Sequence, residues 1–262
     1  MIPVGVVVAF VAVFGLVIGS FLNVVIWRLP RRESVVRPAS RCPSCGERVR
    51  AIDNVPVVSW FALGGRCRGC GCRISARYPV VELLTGVIFG LVAWRVGLAW
   101  ELPAFLYLAA VGVALAFIDI DVKRLPDALT LPSYPIGAAL LVAAALADQE
   151  PGRLLRAGVG LVALYGFYFL LAILKPGGMG FGDVKLAGVL GMFLGFLGWG
   201  PLIVGAFLAF VLGGVGGIAL MTAGSAGRKT KIPFGPYMVA GALVAVLVGA
   251  ELAHLYTSAA LG

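Results

Sequence analysis

The stretch from Val4 to Trp27, VGVVVAFVAVFGLVIGSFLNVVIW, runs for 24 residues without a charged side chain. A helix needs about 20 consecutive apolar residues to cross the hydrocarbon core of a bilayer. Similar apolar stretches follow at 79–97, 102–121, 129–147, 154–174, 184–198, 201–221 and 235–255. The sequence therefore predicts an all-α polytopic membrane protein with about eight transmembrane helices, of which 184–198 is the shortest.

The composition points the same way. Hydrophobic residues make up 61% of the 262 residues, charged residues only 13%, and the mean hydropathy is +1.02. Soluble domains contain about 45–50% apolar and about 25% charged residues, so an ordinary soluble protein is excluded. No Lys or Arg precedes the first apolar stretch, whereas Arg28, Arg31 and Arg32 follow it. This pattern predicts an uncleaved anchor helix with its N-terminus outside.

The net charge of +9 is unevenly distributed along the chain. With the N-terminus outside, the predicted cytosolic loops are 28–78, 122–128, 175–183 and 222–234. These loops and their flanks contain 18 of the 21 Lys and Arg residues, as the positive-inside rule requires. The charge therefore indicates topology and contact with membrane lipid, including anionic lipid, and no nucleic-acid partner is expected.

Residues 28–78 differ from the rest of the chain because they are polar, rich in Arg and contain all five cysteines. We therefore predict three parts: a first transmembrane helix at 1–27, a cytosolic cysteine loop at 28–78 and a seven-helix transmembrane domain at 79–262. No internal sequence repeat is evident. A loop of about 50 residues is too small to be stabilised by burial alone, so it needs another source of stability.

Four of the cysteines form two CxxC pairs separated by 21 residues, namely Cys42 with Cys45 and Cys67 with Cys70. Each pair can bind a tetrahedral metal ion from a tight turn, and two pairs complete a four-thiolate zinc site. Four thiolates leave no open coordination position, so the ion should be structural. Two disulfides are the alternative, which a reducing cytosol disfavours. Cys72 is left over.

Three carboxylates lie close together at the end of the third apolar stretch and just beyond it. Charged groups at this depth are costly and need a reason. Asp119 is the deepest. Asp121 lies about 200° around a helix from it and is expected to be a solvated interfacial charge. Asp127 follows a proline and opens the next helix, so an N-cap role is as strongly expected as a catalytic one.

A fourth acid, Asp183, follows the glycine-rich stretch GGMGFG at 177–182, against which an extended peptide could bind. Taken alone Asp183 could be an N-cap, but together with Asp119 it places two acids at cytosolic helix ends. The only histidine, His254, falls at the external end of the last helix, which excludes Ser–His catalysis and a His-based metalloprotease at the cytosolic face. A pair of carboxylates remains, in which one activates water and the other polarises a carbonyl group.

The helix ends also predict a division of roles within this pair. Asp119 lies near the C-terminal end of its helix, where the helix dipole disfavours a negative charge. Asp183 lies at the start of its helix, where unpaired N–H groups favour one. We therefore expect the shared proton mainly on Asp119, and Asp183 to accept the proton of the attacking water.

Several stretches resemble, in the same order, the bacterial type IV prepilin peptidases, which are GxGD-type membrane aspartyl proteases. They are GSFLNVVIWRLP at 19–30, the two CxxC pairs, YPVVE at 78–82, DIDVKRLPDALTLP at 119–132, GFGDVK at 180–185 and IPFGPY at 232–237. The resemblance covers nearly the whole chain. Preflagellin peptidases and presenilin-like proteases share the GxGD element, but a cysteine loop after the first helix is much more specific.

The resemblance implies an aspartyl endopeptidase of the bacterial inner membrane that cuts basic leader peptides from type IV prepilins or type II secretion pseudopilins at the cytosolic face. It also implies N-methylation of the new N-terminus with S-adenosylmethionine. The catalytic acids of the family fall on Asp119 and Asp183, and its zinc ligands on the four cysteines of the CxxC pairs. Asn23, Asp53 and Glu82 lie near the same face, where they could contact leader or cofactor or serve only local structure.

A different class of protein is an alternative. An ion- or proton-coupled transporter could use the two membrane-edge aspartates to carry protons or bind a cation. Both acids are predicted at one membrane face and no inverted repeat is visible, which disfavours a transporter. A catalytically silent scaffold with a zinc loop is a third possibility, and cleavage of a prepilin substrate separates the three.

Overall fold

The computed structural model describes residues 3–175, 179–223 and 232–261, and within these ranges the regular structure is helical apart from two isolated β-bridges. The α-helices are α1 Val4–Arg28, α2 Val58–Ala62, α3 Arg77–Val96, α4 Leu102–Val122, α5 Asp127–Thr130, α6 Ser133–Ala147, α7 Gly152–Leu174, α8 Phe181–Leu197, α9 Trp199–Thr222 and α10 Gly235–Leu261. Short 3₁₀ helices lie at Leu29–Arg31 and Ala51–Asn54. Residues used in the predictions above that fall outside the described ranges are Gly177, Gly178, Arg228, Lys229 and Lys231.

Seven helical segments of the described chain are long and apolar enough to cross a membrane. They are α1, α3, α4, α7, α9, α10 and the pair α5–α6. The predicted helix 184–198 corresponds to α8, which has 17 residues. It rises only about 25 Å, somewhat less than the hydrocarbon core of about 30 Å. An all-α polytopic architecture is therefore confirmed, whereas the count of eight spanning helices is not.

The predicted helix 129–147 is divided into α5 and α6 at Leu131 and Pro132. Proline lacks a backbone N–H and clashes with the preceding turn of a helix, so α5 ends before it. The Ser133 hydroxyl donates a hydrogen bond to the carbonyl oxygen of Leu129 at 2.7 Å and fixes the junction. The short α5 carries Asp127 at its start.

The first compact unit comprises Met1–Leu98 and is built on the packed pair α1 and α3. Glycines bring the two backbones together. A Cβ atom at Gly15 would lie 2.9 Å from the Cα of Gly86, and one at Gly19 would lie 2.7 Å from the Cα of Glu82. Small residues allow this approach in membranes, where van der Waals contact drives helix association.

The second compact unit comprises Ala99–Gly262 and is arranged around α8, of which 13 of 17 residues are buried. α7 packs closely along it. A Cβ atom at Gly160 would collide with the carbonyl oxygen of Gly191, and one at Gly191 would collide with that of Gly160. α10 packs against both α9 and α4. α8 is therefore covered mainly by protein, and its apolar side chains form the core of this unit.

Arg153, near the start of α7, joins three acidic side chains and an aromatic ring. Its guanidinium pairs with Glu101 and, at 3.2 Å, with Asp148, while Glu150 lies 3.8 Å from its Nε atom. The guanidinium carbon lies 4.0 Å from the centre of the Phe196 ring. Because the Arg153 side chain is only 13% exposed, water screens these contacts weakly. The cluster joins one end each of α4, α6, α7 and α8.

Candidate active site and cysteine cluster

Asp119 lies three residues before the end of α4 and is 5% exposed. Its Oδ2 atom accepts a hydrogen bond from the backbone N–H of Gly235 at 2.9 Å. Gly235 is the first residue of α10, so the carboxyl group also lies at the N-terminal end of a second helix, where unpaired N–H groups favour a negative charge. Asp121 is exposed, in agreement with the predicted angle between the two acids.

Asp183 is the third residue of α8 and is 9% exposed. Its Oδ2 atom accepts a hydrogen bond from the backbone N–H of Gly180, the N-cap residue, at 3.0 Å. The interpretation of Asp183 as the N-cap is therefore wrong: its carboxyl group reaches back from the first turn to the N-cap amide, as an acid at this position commonly does.

The structure brings these two acids into one site. Both carboxyl groups are buried, and the glycines beside them pack against the same side chain, although α4 and α8 are separated by 58 residues of chain. The Leu125 side chain lies between the segments that hold them. A Cβ atom at Gly182 would lie 3.0 Å from the Cβ of Leu125, and one at Gly235 would lie 3.2 Å from its Cδ2. Two buried acids at such a position can act as a general acid and a general base.

The sequence analysis did not single out two further residues of this site, Gly235 and Tyr168. A Cβ atom at Gly235 would lie 2.8 Å from Asp119 Oδ2, so any side chain there would displace the carboxyl group. Tyr168 is 1% exposed, and its ring centre lies 6.3 Å from that of Phe234, the residue before Gly235. The proline after Gly235 is a signal for a helix start, but nothing in the sequence marks Tyr168.

Asp127 makes no capping hydrogen bond, and the N-cap of α5 is Pro126, so the N-cap interpretation is wrong here too. Asp127 Oδ1 instead accepts a hydrogen bond from Lys185 Nζ at 2.7 Å. The Tyr134 hydroxyl donates to the backbone carbonyl oxygen of Lys185, also at 2.7 Å. These two contacts hold α5 and α6 against the first turns of α8, two residues beyond Asp183.

The cysteine cluster has the geometry of a metal site. The sulfur atoms of Cys42, Cys45, Cys67 and Cys70 all lie within 4.8 Å of one another, and the cysteines are free thiols. Tetrahedral bonds of about 2.3 Å to one ion place sulfurs about 3.8 Å apart, and Cys42 and Cys70 have this separation, 3.8 Å. The N–H groups of Cys45 and Ser44 lower the pKa of the Cys42 thiol to about 6, which favours the thiolate that a metal requires. The cluster can hold a metal ion.

Two matching turns build this cluster. Gly46 and Gly71 close them, because the N–H of each donates to the carbonyl oxygen of the first cysteine of its pair at 2.9 Å. Their φ angles of +73° and +69° lie in the left-handed region that favours glycine. One β-bridge joins the ends of each turn. Residues 41–48, RCPSCGER, and 66–73, RCRGCGCR, are therefore one unit, RCxxCGxR, used twice, which is an internal repeat that the sequence analysis missed.

The second turn has two additional contacts. The leftover thiol of Cys72 lies 3.5 Å from the sulfur of Cys42, so it is adjacent to the cluster. Arg68 binds both carboxylate oxygens of Asp53, with Nη2 2.7 Å from Oδ1. The hydrogen bonds and positive charge of Arg68 lower the pKa of Asp53. Asp53 therefore has a structural partner within the loop.

The other two polar groups considered as leader or cofactor contacts also have structural partners. Asn23 Nδ2 donates to the carbonyl oxygen of Tyr78 at 3.1 Å and joins α1 to the start of α3. Glu82 Oε2 accepts a hydrogen bond from the backbone N–H of Val57 at 2.7 Å and holds the residue before α2 against α3. His254 is exposed, far along α10 from Gly235, in agreement with its exclusion from the site.

Comparison with known proteins gives a consistent result. Residues 13–96 match the bacterial peptidase A24 N-terminal domain, and residues 106–218 match the type IV leader peptidase family. A protein from Stutzerimonas stutzeri described as a prepilin leader peptidase/N-methyltransferase is 38% identical, over 93% of this chain and 91% of the relative. Proteins with the same description from Aeromonas salmonicida (strain A449) and Pseudomonas aeruginosa are 37% and 35% identical, over 95% and 92% of this chain and 93% and 90% of the relatives. No solved structure gives a significant match.

Proposed function

The chain belongs to the type IV leader peptidase family, and from this membership we propose that it is a membrane aspartyl endopeptidase that removes the leader peptide of type IV prepilins or pseudopilins. It also methylates the new N-terminal amine. The observation that carries the proposal is the placement of Asp119 and Asp183, two buried carboxyl groups from separate helices whose neighbouring glycines, Gly235 and Gly182, both pack against Leu125. The comparisons give no support to the alternative of a transporter.

Each acid of the pair has one oxygen committed to structure. Oδ2 of Asp119 and Oδ2 of Asp183 each accept one backbone N–H, whereas no hydrogen bond to either Oδ1 atom occurs within the described residues. The amides fix the direction of each carboxyl group, so the remaining oxygens are available for substrate and water. We assign these two Oδ1 atoms to the chemistry.

Hydrolysis then needs one proton on the pair. The ionised acid takes a proton from water as the water oxygen attacks the scissile carbonyl carbon, and the protonated acid donates its proton to the carbonyl oxygen. The resulting gem-diol returns a hydroxyl proton to one carboxylate while the other acid protonates the leaving nitrogen, and the C–N bond breaks. Two neighbouring carboxylates oppose double ionisation, which favours the singly protonated state that this sequence of steps requires.

The assignment of the proton to Asp119 loses part of its support. The C-terminal end of α4 disfavours a negative charge on Asp119, whereas the N-terminal end of α8 favours one on Asp183. Because the first N–H of α10 also binds Asp119, both acids receive an amide from a helix N-terminus. Helix polarity alone therefore no longer separates their roles.

The chain is a multi-pass protein of the bacterial inner membrane, and we propose that its catalytic face is cytosolic and its N-terminus external. This orientation rests on the distribution of charge, since 18 of the 21 Lys and Arg residues fall in or beside the predicted cytosolic loops. In this orientation both acids lie at the cytosolic ends of their helices, where a basic leader peptide remains after membrane insertion of a prepilin.

We propose that the metal bound by Cys42, Cys45, Cys67 and Cys70 is zinc. Four thiolates suit zinc in tetrahedral geometry and leave no position for water. When bound, the ion therefore supplies a structural cross-link between the two turns and no hydrolytic chemistry. The proposal is supported by the left-handed glycines of both turns and by the mutual distances of the sulfur atoms.

S-adenosylmethionine is the methyl donor that we propose for the second activity. The residues that bind it are not assigned, because the described part of the chain contains no strand–turn–helix element of the kind that binds nucleotide cofactors. This proposal is supported by the relatives, whose shared description includes N-methyltransferase.

The test is cleavage of a full-length prepilin by the purified protein in liposomes. We expect a shortened product whose mass identifies a single cut between leader and mature chain, and addition of S-adenosylmethionine should add one methyl group to the new N-terminus. Preparations of Asp119→Asn and Asp183→Asn, made in the same way, serve as controls for contaminating proteases. An uncleaved prepilin in the presence of folded wild-type protein would contradict the proposed function.

A further inference from the structure

Large apolar side chains are exposed in and just before α2, outside the membrane-spanning helices. The exposed fractions are 70% for Ile52, 44% for Val55, 64% for Val58 and 65% for Phe61. Val58 and Phe61 are three residues apart in the helix and therefore share one face. Grouped exposed apolar side chains of this kind mark an interaction surface.

Hydrogen bonds fix the depth of α2 beside a membrane-spanning helix. Val57, the residue before α2, donates its N–H to Glu82 Oε2 at 2.7 Å. Glu82 lies five residues inside α3, which begins at Arg77, so it is about 7–8 Å along the helix axis. The Trp60 indole N–H donates to the carbonyl oxygen of Ile74 just before α3. α2 therefore begins beside the first turns of α3 and not beyond its end.

The loop that carries α2 is strongly basic. Residues 28–78 contain eleven Arg and only three acidic residues, and one of these acids, Asp53, is already bound by Arg68. Guanidinium groups bind phosphate oxygens with two parallel hydrogen bonds. A second copy of the chain would bring the same excess of positive charge against this surface, whereas an anionic lipid surface would neutralise it.

We propose that α2 is an interfacial anchor, with Val58 and Phe61 inserted at the boundary of the acyl chains and the arginines of residues 28–78 binding anionic phospholipid headgroups. Apolar side chains beside basic ones are the combination that holds a helix in the plane of the interface. The anchor positions the cysteine loop on the membrane surface. This proposal does not depend on whether the chain cleaves prepilins.

Photocrosslinking in lipid nanodiscs tests the anchor. In the full-length protein p-benzoylphenylalanine replaces Phe61, or in a matched control Val36, a side chain that is 77% exposed in the same loop but outside the Ile52–Phe61 group. Nanodiscs contain phosphatidylcholine alone or mixed with phosphatidylglycerol. Mass spectrometry should find lipid adducts at position 61, at least about threefold more with phosphatidylglycerol, because Arg side chains near the membrane are attracted to an anionic surface.

The control and the lipid composition make the outcomes distinct. Monodisperse elution and an unchanged circular dichroism spectrum show that both labelled proteins are folded. Lipid adducts that are stronger at position 61 than at 36 support the proposal. Equal adducts at both positions, cross-links only between two copies of the chain, or a yield at 61 that is independent of phosphatidylglycerol would overturn it.

Discussion

At the scale of single residues, the two oxygens of each proposed catalytic acid, Asp119 and Asp183, have different roles: one fixes the position of the side chain and the other serves the chemistry. One oxygen is bound by an amide, and the other is available. An asparagine side chain has the same shape and can keep the amide contact through its oxygen, but it cannot accept or release a proton at neutral pH. Asparagine variants therefore test the chemistry with little change in packing.

We expect Asp119→Asn and Asp183→Asn each to lower the rate of prepilin cleavage by about 10³-fold or more, since general acid–base groups contribute about 10²–10⁴-fold each. Asp121→Asn should keep most of the activity because Asp121 is exposed, unlike the two buried acids. Initial rates of leader removal measure the effect. An Asp183→Asn protein as active as wild type would refute the aspartyl mechanism.

Gly235 gives a second prediction at this scale. Its Cβ position lies 2.8 Å from Asp119 Oδ2, so Gly235→Ala should push the carboxyl group out of place and lower kcat by about 10–100-fold, in line with the effect of small misplacements of catalytic groups. Gly214→Ala is the matched control, because no atom lies within 4 Å of its Cβ position. Equal activity of the two variants would show that the close approach at Gly235 has no role in catalysis.

At the scale of helices, the contact of α5 with α8 positions the start of α8. The Asp127–Lys185 pair is partly exposed, so it contributes little to stability, about 0–1 kcal/mol. Because Lys185 lies two residues beyond Asp183, the pair should affect the position of the Asp183 carboxyl group more than the stability of the fold. A change in kcat with little change in melting temperature distinguishes these effects.

We expect Asp127→Lys and Lys185→Asp each to lower kcat by about three- to tenfold, since each places two like charges together. The double variant with exchanged charges should recover a large part of the loss, because the attraction between α5 and α8 is restored. Kinetics of the two single variants and the double variant form a thermodynamic cycle. A double variant as impaired as the sum of both single changes would rule out a direct pair.

The two cysteine turns form another element with its own prediction. Elemental analysis of the purified protein should find one zinc ion per chain, and Cys42→Ser should lose it, because three thiolates bind zinc less tightly than four. Cys72→Ser should retain the ion, although its thiol is only 3.5 Å from that of Cys42. Zinc loss in Cys72→Ser with retention in Cys70→Ser would exchange the roles of these two cysteines.

At the scale of the whole molecule, whether α8 crosses the membrane decides the orientation of α9 and α10. With the N-terminus outside, a reporter fused after Glu150 should be external, and one fused after Ala223 should be cytosolic only if α8 crosses the membrane. We expect green fluorescent protein to fluoresce at the second site and alkaline phosphatase to be active at the first. External activity at both sites would show that α8 does not span, and that seven helices cross.

The hydropathy of the sequence predicts the helices and the CxxC spacing predicts the cluster, because both depend on residues close in sequence. The contacts that complete the acid site are long-range. Gly235 meets Asp119 across 116 residues and Lys185 meets Asp127 across 58, and no periodicity encodes such pairs. The N-cap interpretation of Asp127 failed for this reason, because its carboxylate binds the distant Lys185 amine. That of Asp183 failed at short range, because its carboxylate binds the N–H of Gly180 three residues before it.

The RCxxCGxR repeat shows the opposite kind of miss. Its two eight-residue units share five positions, the two Cys, one Gly and the flanking Arg residues, but the sequence analysis predicted no repeat. The β-bridge and the left-handed glycine of each turn identify the flanking residues as part of the unit.

The ion cluster around Arg153 has a mechanical consequence for the bundle. Phe196 lies 13 residues along α8 from Asp183, about 20 Å away, and Glu101 is about 27 Å from Asp119 along α4. The cluster thus joins four helices at the end remote from the acids and fixes their spacing there, without occupying the end at which a substrate must enter.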